Sequence, residues 1–291
     1  MTDLSVPQRR TGDLLPGIAA AIAFSLVDVS GKMVLINGAD VLTLSTFRGL
    51  LTVAFMAIWL RIDKPVVRHT PRQRWIALGI GVLFSVIVYG LYRAMQLMPV
   101  PITILTYFIY PLLTGLIGAL LGIDKVTWRG VTAAVVAFLG LALTVGADPA
   151  GIVTAGLLLV GASAVCRTAI LLITRALLHD ADARLTTWYT FVSSTGIFCA
   201  ISLATWNWHG PQNATGWIAF AIVTVSIIVA VMTLFMSINR IGPFRSALIM
   251  NLEPLLATIL SAPLLGEVIT PLQGLGGAIM LGALVAFQLR R

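Results

Sequence analysis

Long apolar stretches alternate with short polar connections along the whole chain. Ten runs separate, over 14–36, 41–60, 75–97, 101–121, 129–146, 154–176, 186–206, 217–239, 244–264 and 271–289. Each is close to the roughly 20 apolar residues that carry a helix across the hydrocarbon core of a bilayer. Membrane strands would read as alternating stretches of about ten residues. Runs such as Gly130 to Gly146 are instead almost continuously apolar, which marks helices. The pattern predicts an all-α integral membrane fold with ten transmembrane helices.

Composition agrees: 58% of the 291 residues are hydrophobic, 10% are charged, and the mean hydropathy is +0.99. Soluble domains carry about a quarter charged residues, so that class is excluded. A net charge of +8 would suggest a nucleic-acid partner in a soluble protein. Here its placement reports topology, and no nucleic acid is expected. Arg9 and Arg10 precede the first run, and Arg61, Lys64, Arg68, Arg72 and Arg74 fill the second connection. Lys125 and Arg129, Arg175 and Arg184, and Arg240 and Arg245 mark the fourth, sixth and eighth, and Arg290 and Arg291 end the chain. The odd-numbered connections carry no Lys or Arg. Because cytoplasmic loops retain positive charge, both termini are expected in the cytoplasm, with residues 1–13 a tail and the protein in the cytoplasmic (inner) membrane. A secretory apolar region would be shorter and end at a small-residue cleavage site, so the run interrupted by Asp28 and Lys32 reads as an uncleaved first span. The Arg pair reads as a topology signal. Cys166 and Cys199 lie inside runs, so no disulfide is expected.

The third and fourth spans contain Tyr92-Arg93-Ala94-Met95-Gln96, Tyr110-Pro111-Leu112-Leu113 and Leu120-Leu121-Gly122. The eighth and ninth repeat the layout with Asn239, Glu253-Pro254-Leu255-Leu256 and Leu264-Leu265-Gly266. The chain therefore divides into a first five-helix repeat, 14–147, and a second, 152–289, joined near Asp148 to Gly151. Five is odd, so the halves enter from opposite sides and form inverted repeats, an architecture of secondary transporters. Phe47-Arg48 early in the second span, Pro111 in the fourth, Glu253-Pro254 in the ninth, Leu265-Gly266-Glu267 after it, and Gln273, Gly274 and Gly282 in the tenth resemble the drug/metabolite transporter superfamily, specifically its EamA-type ten-helix members. The first repeat departs in having Gly122-Ile123-Asp124 where family repeats often have Gly-Glu, and Tyr110 where the second copy has Glu253. The resemblance implies export of a small metabolite, most closely as in bacterial exporters of amino acids, including aromatic ones.

Six ionisable residues fall within spans: Asp28, Lys32, Arg48, Arg93, Arg167 and Glu253. Each costs on the order of 3 kcal/mol at mid-depth, so such groups face a cavity or one another. At 1.5 Å per residue, Glu253 lies roughly 12 Å inside its span and reaches neither interface. Arg48 and Lys32 lie in the outer half and are within reach of the interface by snorkelling, and Arg167, on a face with Ser163, is read the same way at the cytoplasmic end. Asp28 and Lys32 stack at i, i+4, as a mutual pair or a functional one. Arg93 shares a face with Tyr89 and Gln96, either to grip a substrate carboxylate in bidentate fashion or to bond a neighbouring helix. Asp28, Lys32, Arg48, Arg167 and Glu253 form the candidate charge network or coupling set.

Thr103, Tyr107, Tyr110 and Thr114 make one stripe of the fourth span, matched in the ninth by Ser246, Met250, Glu253 and Ala257. The two stripes are candidate walls of a central site, together with adaptable apolar groups: Trp188, Tyr189, Met232 and Met236. Pro111 and Pro254 break helices in equivalent places, as flex points for alternating access or as static kinks. The predicted substrate site comprises Tyr89, Arg93, Thr103, Tyr107, Tyr110, Trp188, Met232, Met250 and Glu253. Arg93 faces a carboxylate, and Glu253 an ammonium group or a coupling proton.

No Walker A sequence occurs, His69, His179 and His209 have no metal-ligand spacing, and no Ser/His/Asp grouping lies within the spans. The chain is thus not expected to be an enzyme or to use a cofactor or metal. Its expected partners are the lipid bilayer and a small-molecule substrate, an amino acid or similar metabolite. The rival expectations are a lipophilic-cation exporter, another permease of the same fold, a channel and an intramembrane enzyme.

Overall fold

In the computed structural model, residues 11–65, 68–97, 103, 106–123, 127–145, 153–206, 208–265 and 271–289 are described. They form a short 3-10 turn at Thr11–Leu14 and eleven α-helices: α1 Leu15–Ile36, α2 Val41–Ile62, α3 Pro71–Leu97, α4 Tyr110–Leu120, α5 Trp128–Val145, α6 Thr154–Leu177, α7 Ala183–Thr205, α8 Ala214–Ile241, α9 Pro243–Met250, α10 Leu252–Leu265 and α11 Pro271–Leu289. No strand occurs among the described residues. Among the described residues, six helices are long and apolar enough to cross a membrane: Gly12–Ile36, Val41–Ile62, Pro71–Ala94, Thr154–Leu177, Ala183–Thr205 and Ala214–Ile241. Tyr110–Leu120, Trp128–Leu143 and Gly274–Ala283 are shorter apolar helices. Residues 1–10 of the expected tail, the junction at 148–151 and the Gly266-Glu267 pair lie outside the described residues, as do the side chains of Gln96 and Gln273.

The fourth and ninth apolar runs are not single helices. Thr106 and Tyr107 are helical, Phe108 and Ile109 form a turn, and α4 restarts at Tyr110. The ninth run breaks at Asn251 between α9 and α10. Pro111 and Pro254 therefore sit in the first turn of the restarted helices instead of mid-helix. Proline has no N–H to offer, and the first turn needs none, so each proline ends one segment and starts the next at little cost.

The helix surfaces are arranged for an apolar solvent. On α2, Phe47, Leu51, Phe55 and Ile58 are 46–59% exposed along one stripe, while Thr46, Gly49 and Thr52 are buried on the other side. Small and polar residues face inward and large apolar ones outward, as expected where lipid supplies no hydrophobic drive and close helix approach does the packing. Glycine makes such approaches possible on α3. A Cβ at Gly81 would run into the Thr190 carbonyl oxygen on α7, and one at Gly90 would meet Ser163 and Leu159 on α6.

The packing pairs exchange when each span is advanced by five. α1 packs on α8 as α6 packs on α3, and α1 on the ninth-run helices α9 and α10 as α6 on α4. α2 packs on α8 as α7 packs on α3, while α2 with α7, and α5 with α11, pair with their own counterparts. The α5–α11 pair joins the remainder through α4 and α10, so it lies at the periphery.

Two cross-links follow the same exchange at opposite ends. The Asp40 side chain caps α2 through the Thr43 amide at 2.9 Å and accepts the His209 amide at 2.8 Å, while His209 N–H also reaches the Thr43 hydroxyl at 3.1 Å. At the other end Asp182 caps α7 through the Arg184 amide at 2.8 Å. There His69 Nε2 meets the Thr186 hydroxyl at 3.1 Å, and Arg184 bridges Asp182 at 3.0 Å and Asp63 at 2.5 Å. Burial opposes ionisation of Asp40, but hydrogen bonds from Thr43, His209 and Leu42 outweigh it and hold the carboxyl below its ordinary range. Asp182 is held low in the same way, by Arg184 and the Leu185 amide. Burial pushes His69 below the ordinary imidazole value, with Asp182 opposing and Arg74 assisting the shift.

Candidate functional site

α1, α2, α6 and α10 bring four charged side chains into one row. Asp28 of α1 lies within hydrogen-bonding reach of Glu253 of α10, with the Arg167 and Arg48 guanidiniums beside it. Arg48 in turn hydrogen-bonds Tyr92 of α3, and Arg167 stands beside Glu253, Tyr107 and Tyr110. The order is Tyr92, Arg48, Asp28, Glu253, Arg167, then the two tyrosines. Arg48 and Arg167 are each 4% exposed and Glu253 is 8% exposed.

The Arg167 guanidinium carbon lies 5.0 Å from the centre of the Phe24 ring and 5.6 Å from that of Tyr110. An arginine so enclosed is stabilised by ring quadrupoles as well as by Glu253. It still leaves capacity: Arg167 Nε, Arg48 Nε and the Tyr110 hydroxyl are buried without an aligned hydrogen-bond partner. Such orphaned polar atoms in a dry interior are costly unless something else meets them. The break before α4 helps to place Tyr110. Its carbonyl accepts the Thr114 hydroxyl at 2.7 Å and the Thr168 hydroxyl of α6 at 3.3 Å, and its ring packs 5.4 Å from that of Tyr107.

An open cavity of about 580 Å³ lies between the α1–α2 connection and α3, lined among others by Leu35, Asp40, Tyr89, Tyr92 and Arg93. Tyr92 belongs to both the cavity wall and the charge row. Asp28 points the same way: protein surrounds it yet its surface is open, as for a group lining an internal space. It shares a helix face with exposed Lys32 and with Leu35 of the cavity wall.

The structure thus joins Asp28, Arg48, Arg167, Glu253, Tyr107 and Tyr110 in one row, and Tyr89 and Arg93 in the adjoining cavity. One expectation is corrected. Arg48 and Arg167 do not snorkel to the interfaces: both turn inward, because carboxylates are available there and lipid would meet them on the other face. Thr103 and Met250 are fully buried in the core, and Ser246 is taken up by a 2.8 Å hydrogen bond to Ser237 on α8. Trp188 packs at 4.8 Å on Tyr189, which meets His69 at 5.8 Å, so its contacts lie at the capped end of α7. Met232 is half-buried on α8.

A family model described as the EamA-like transporter family matches residues 11–146 and again 154–287. The chain belongs to the EamA-like transporter family. It is a multi-pass membrane protein built from two copies of the family's repeat, and family membership makes it a membrane transporter of small molecules. No curated protein matches the chain. A solved structure described only as "Crystal structure of protein" is similar over 97% of this chain and 100% of that one, with a TM-score of 0.76 and 18% identity, which speaks to the fold alone. In this EamA-like transporter, sequence reasoning missed two members of the site. Tyr92 was visible only as part of the repeat, and Phe24 gave no signal, since a phenylalanine in an apolar run announces nothing about the cation packed on its ring.

Proposed function

We propose that the protein is a secondary exporter of small metabolites that carry both a carboxylate and an ammonium group, amino acids above all. It works by alternating access through the charge row and its adjoining cavity. The observation that carries this reading is the row itself. Two arginines with unused donors and two carboxyls, buried side by side and flanked by aromatic rings, offer complementary charge to both ends of a zwitterion and a stacking surface to its side chain. Arg93 would receive the carboxylate in the cavity, Tyr107 and Tyr110 the side chain, and Glu253 the ammonium. Thr103, Trp188, Met232 and Met250 would complete or support the walls, and Lys32 would act at the row's open edge.

The same reading takes the ten apolar runs as ten spans in two inverted five-helix units, 14–147 and 152–289, with both termini in the cytoplasm of a cell whose inner membrane holds the protein. The exchange of packing pairs supports the inversion. The cavity lies at the end carrying the Arg- and Lys-free connection 37–40, so in this topology it opens away from the cytoplasm. Pro111 and Pro254, at the breaks in the fourth and ninth spans, would be the joints.

Flux of radiolabelled amino acids into proteoliposomes tests the proposal. Saturable exchange by the wild type that falls at least tenfold in Glu253→Gln is the expected result. No exchange of any amino acid, with tetraphenylphosphonium efflux that needs Glu253 and tolerates Arg93→Ala, would assign the site to lipophilic cations instead.

A further inference from the structure

We propose that Asp28 and Glu253 share one proton, and that the ammonium group of the substrate displaces it, so that each zwitterion exported is exchanged for one proton. The inference rests on the amino-acid reading of the same site and adds its coupling ion.

The argument starts from hydrogen-bond chemistry. Asp28 and Glu253 lie within hydrogen-bonding reach of each other. An ionised carboxylate only accepts hydrogen bonds, so a bond between two carboxyls holds a proton, and without one the pair repels. The groups around the pair are accounted for element by element. α2 contributes Arg48, α3 Tyr92, α6 Arg167, and α4 with the turn before it Tyr110 and Tyr107. The large partner of α1, α8, has Arg240 as its one ionisable residue, in its last turn, and α9 has Arg245. Lys32 stands one turn from Asp28 on α1 and is exposed.

The two carboxyls are not equivalent. Glu253 is almost completely covered, whereas Asp28 keeps open surface on the face it shares with the cavity wall. Asp28 is therefore the member through which a proton or an ammonium group enters, and Glu253 the member that holds it. Charge counting sets the direction of coupling. With one proton shared, the buried row of two arginines and two carboxyls carries one net positive charge. With the proton gone and a zwitterion bound, the row and its ligand are neutral. The exchange is (Asp28·H·Glu253)⁻ plus zwitterion giving Asp28⁻, Glu253⁻ and bound zwitterion plus one free proton. No bond to carbon is made or broken. The proton-loaded return step carries the positive charge inward, so a membrane potential negative inside assists export.

Two measurements test this with L-phenylalanine as the probe. Purified protein in weakly buffered detergent is mixed with L-phenylalanine and a pH-sensitive dye, and binding is followed by calorimetry. The wild type should release one proton per molecule bound. Asp28→Asn and Glu253→Gln should bind several-fold more weakly and release none. In proteoliposomes, an acidic interior should raise initial uptake by the wild type several-fold, whereas both variants should retain some gradient-free exchange and lose the response. Binding or exchange by the wild type without proton release would overturn the shared proton and leave the amino-acid reading standing, as would gradient-driven uptake in either variant. A wild type that neither binds nor exchanges any amino acid would overturn the substrate reading, and this inference with it.

Discussion

At the scale of single residues, the row works because each charge has an opposite neighbour. Removing one partner of a buried ion pair leaves the other uncompensated and costs about 3 to 5 kcal/mol. Arg167→Met is therefore expected to abolish flux and to lower the melting temperature of the detergent-solubilised protein markedly. Phe24→Leu keeps an apolar side chain but removes the ring over the guanidinium, a loss of about 1 kcal/mol, and should weaken transport severalfold without unfolding. Equal effects of the two variants would mean that the ring, not the carboxyl, holds Arg167. These residues also show what a sequence can reveal about a site. Glu253 and Asp28 stood out because charge inside an apolar run is expensive. The rotation of Arg48 and Arg167 did not, since counting residues to an interface gives depth and says nothing about which way a long, flexible side chain turns. That choice depends on carboxyls on other helices, and only the packed structure supplies them.

At the scale of elements, the apolar runs fixed helix positions well, because lipid-facing and core-facing surfaces are both apolar and the polar connections contrast with both. Ends moved by up to four residues, as at Pro71 and Ile241, where the first or last turn is polar but still helical. The breaks before Tyr110 and at Asn251 were legible only as prolines, since hydropathy is blind to a turn that keeps its side chains apolar. If these breaks are joints, Pro111→Ala and Pro254→Ala should slow exchange while leaving binding of L-phenylalanine unchanged, and unchanged exchange in both would make them static. Glycine positions provide a sharper packing test. Gly81→Ala pushes a methyl against the Thr190 carbonyl, which is backbone and cannot swing away, so the α3–α7 contact must open at about 1 to 3 kcal/mol. Gly79→Ala, two residues earlier with nothing within 4 Å, should be neutral or stabilise by up to about 1 kcal/mol through helix propensity. Thermal melts of the two proteins read the difference directly.

At the scale of the whole molecule, the two capped cross-links tie the α2–α7 pair at both ends, and their titration gives the fold a characteristic acid sensitivity. Burial lowers His69 in the folded protein, whereas an unfolded imidazole titrates near 6.5. Between those values the unfolded chain binds the extra proton, so stability rises with pH through this window and is lost as pH falls through it. Asp40 and Asp182 are shifted down from the ordinary carboxylate value of about 3.9. Their contribution is fully present above that value and is lost as pH drops below it. The melting temperature should accordingly decline in two stages, first from about pH 6.5 downward and again below about pH 4. His69→Gln, which keeps a side chain able to bond Thr186 but cannot charge, should flatten the first stage and leave the second. Asp182→Asn should instead shrink the second stage to the share of Asp40 and deepen the first, because it removes both the carboxylate that Arg184 bridges and the charge that opposes the shift of His69. A first stage that His69→Gln leaves unchanged would mean that the imidazole at this end of the bundle does not set it.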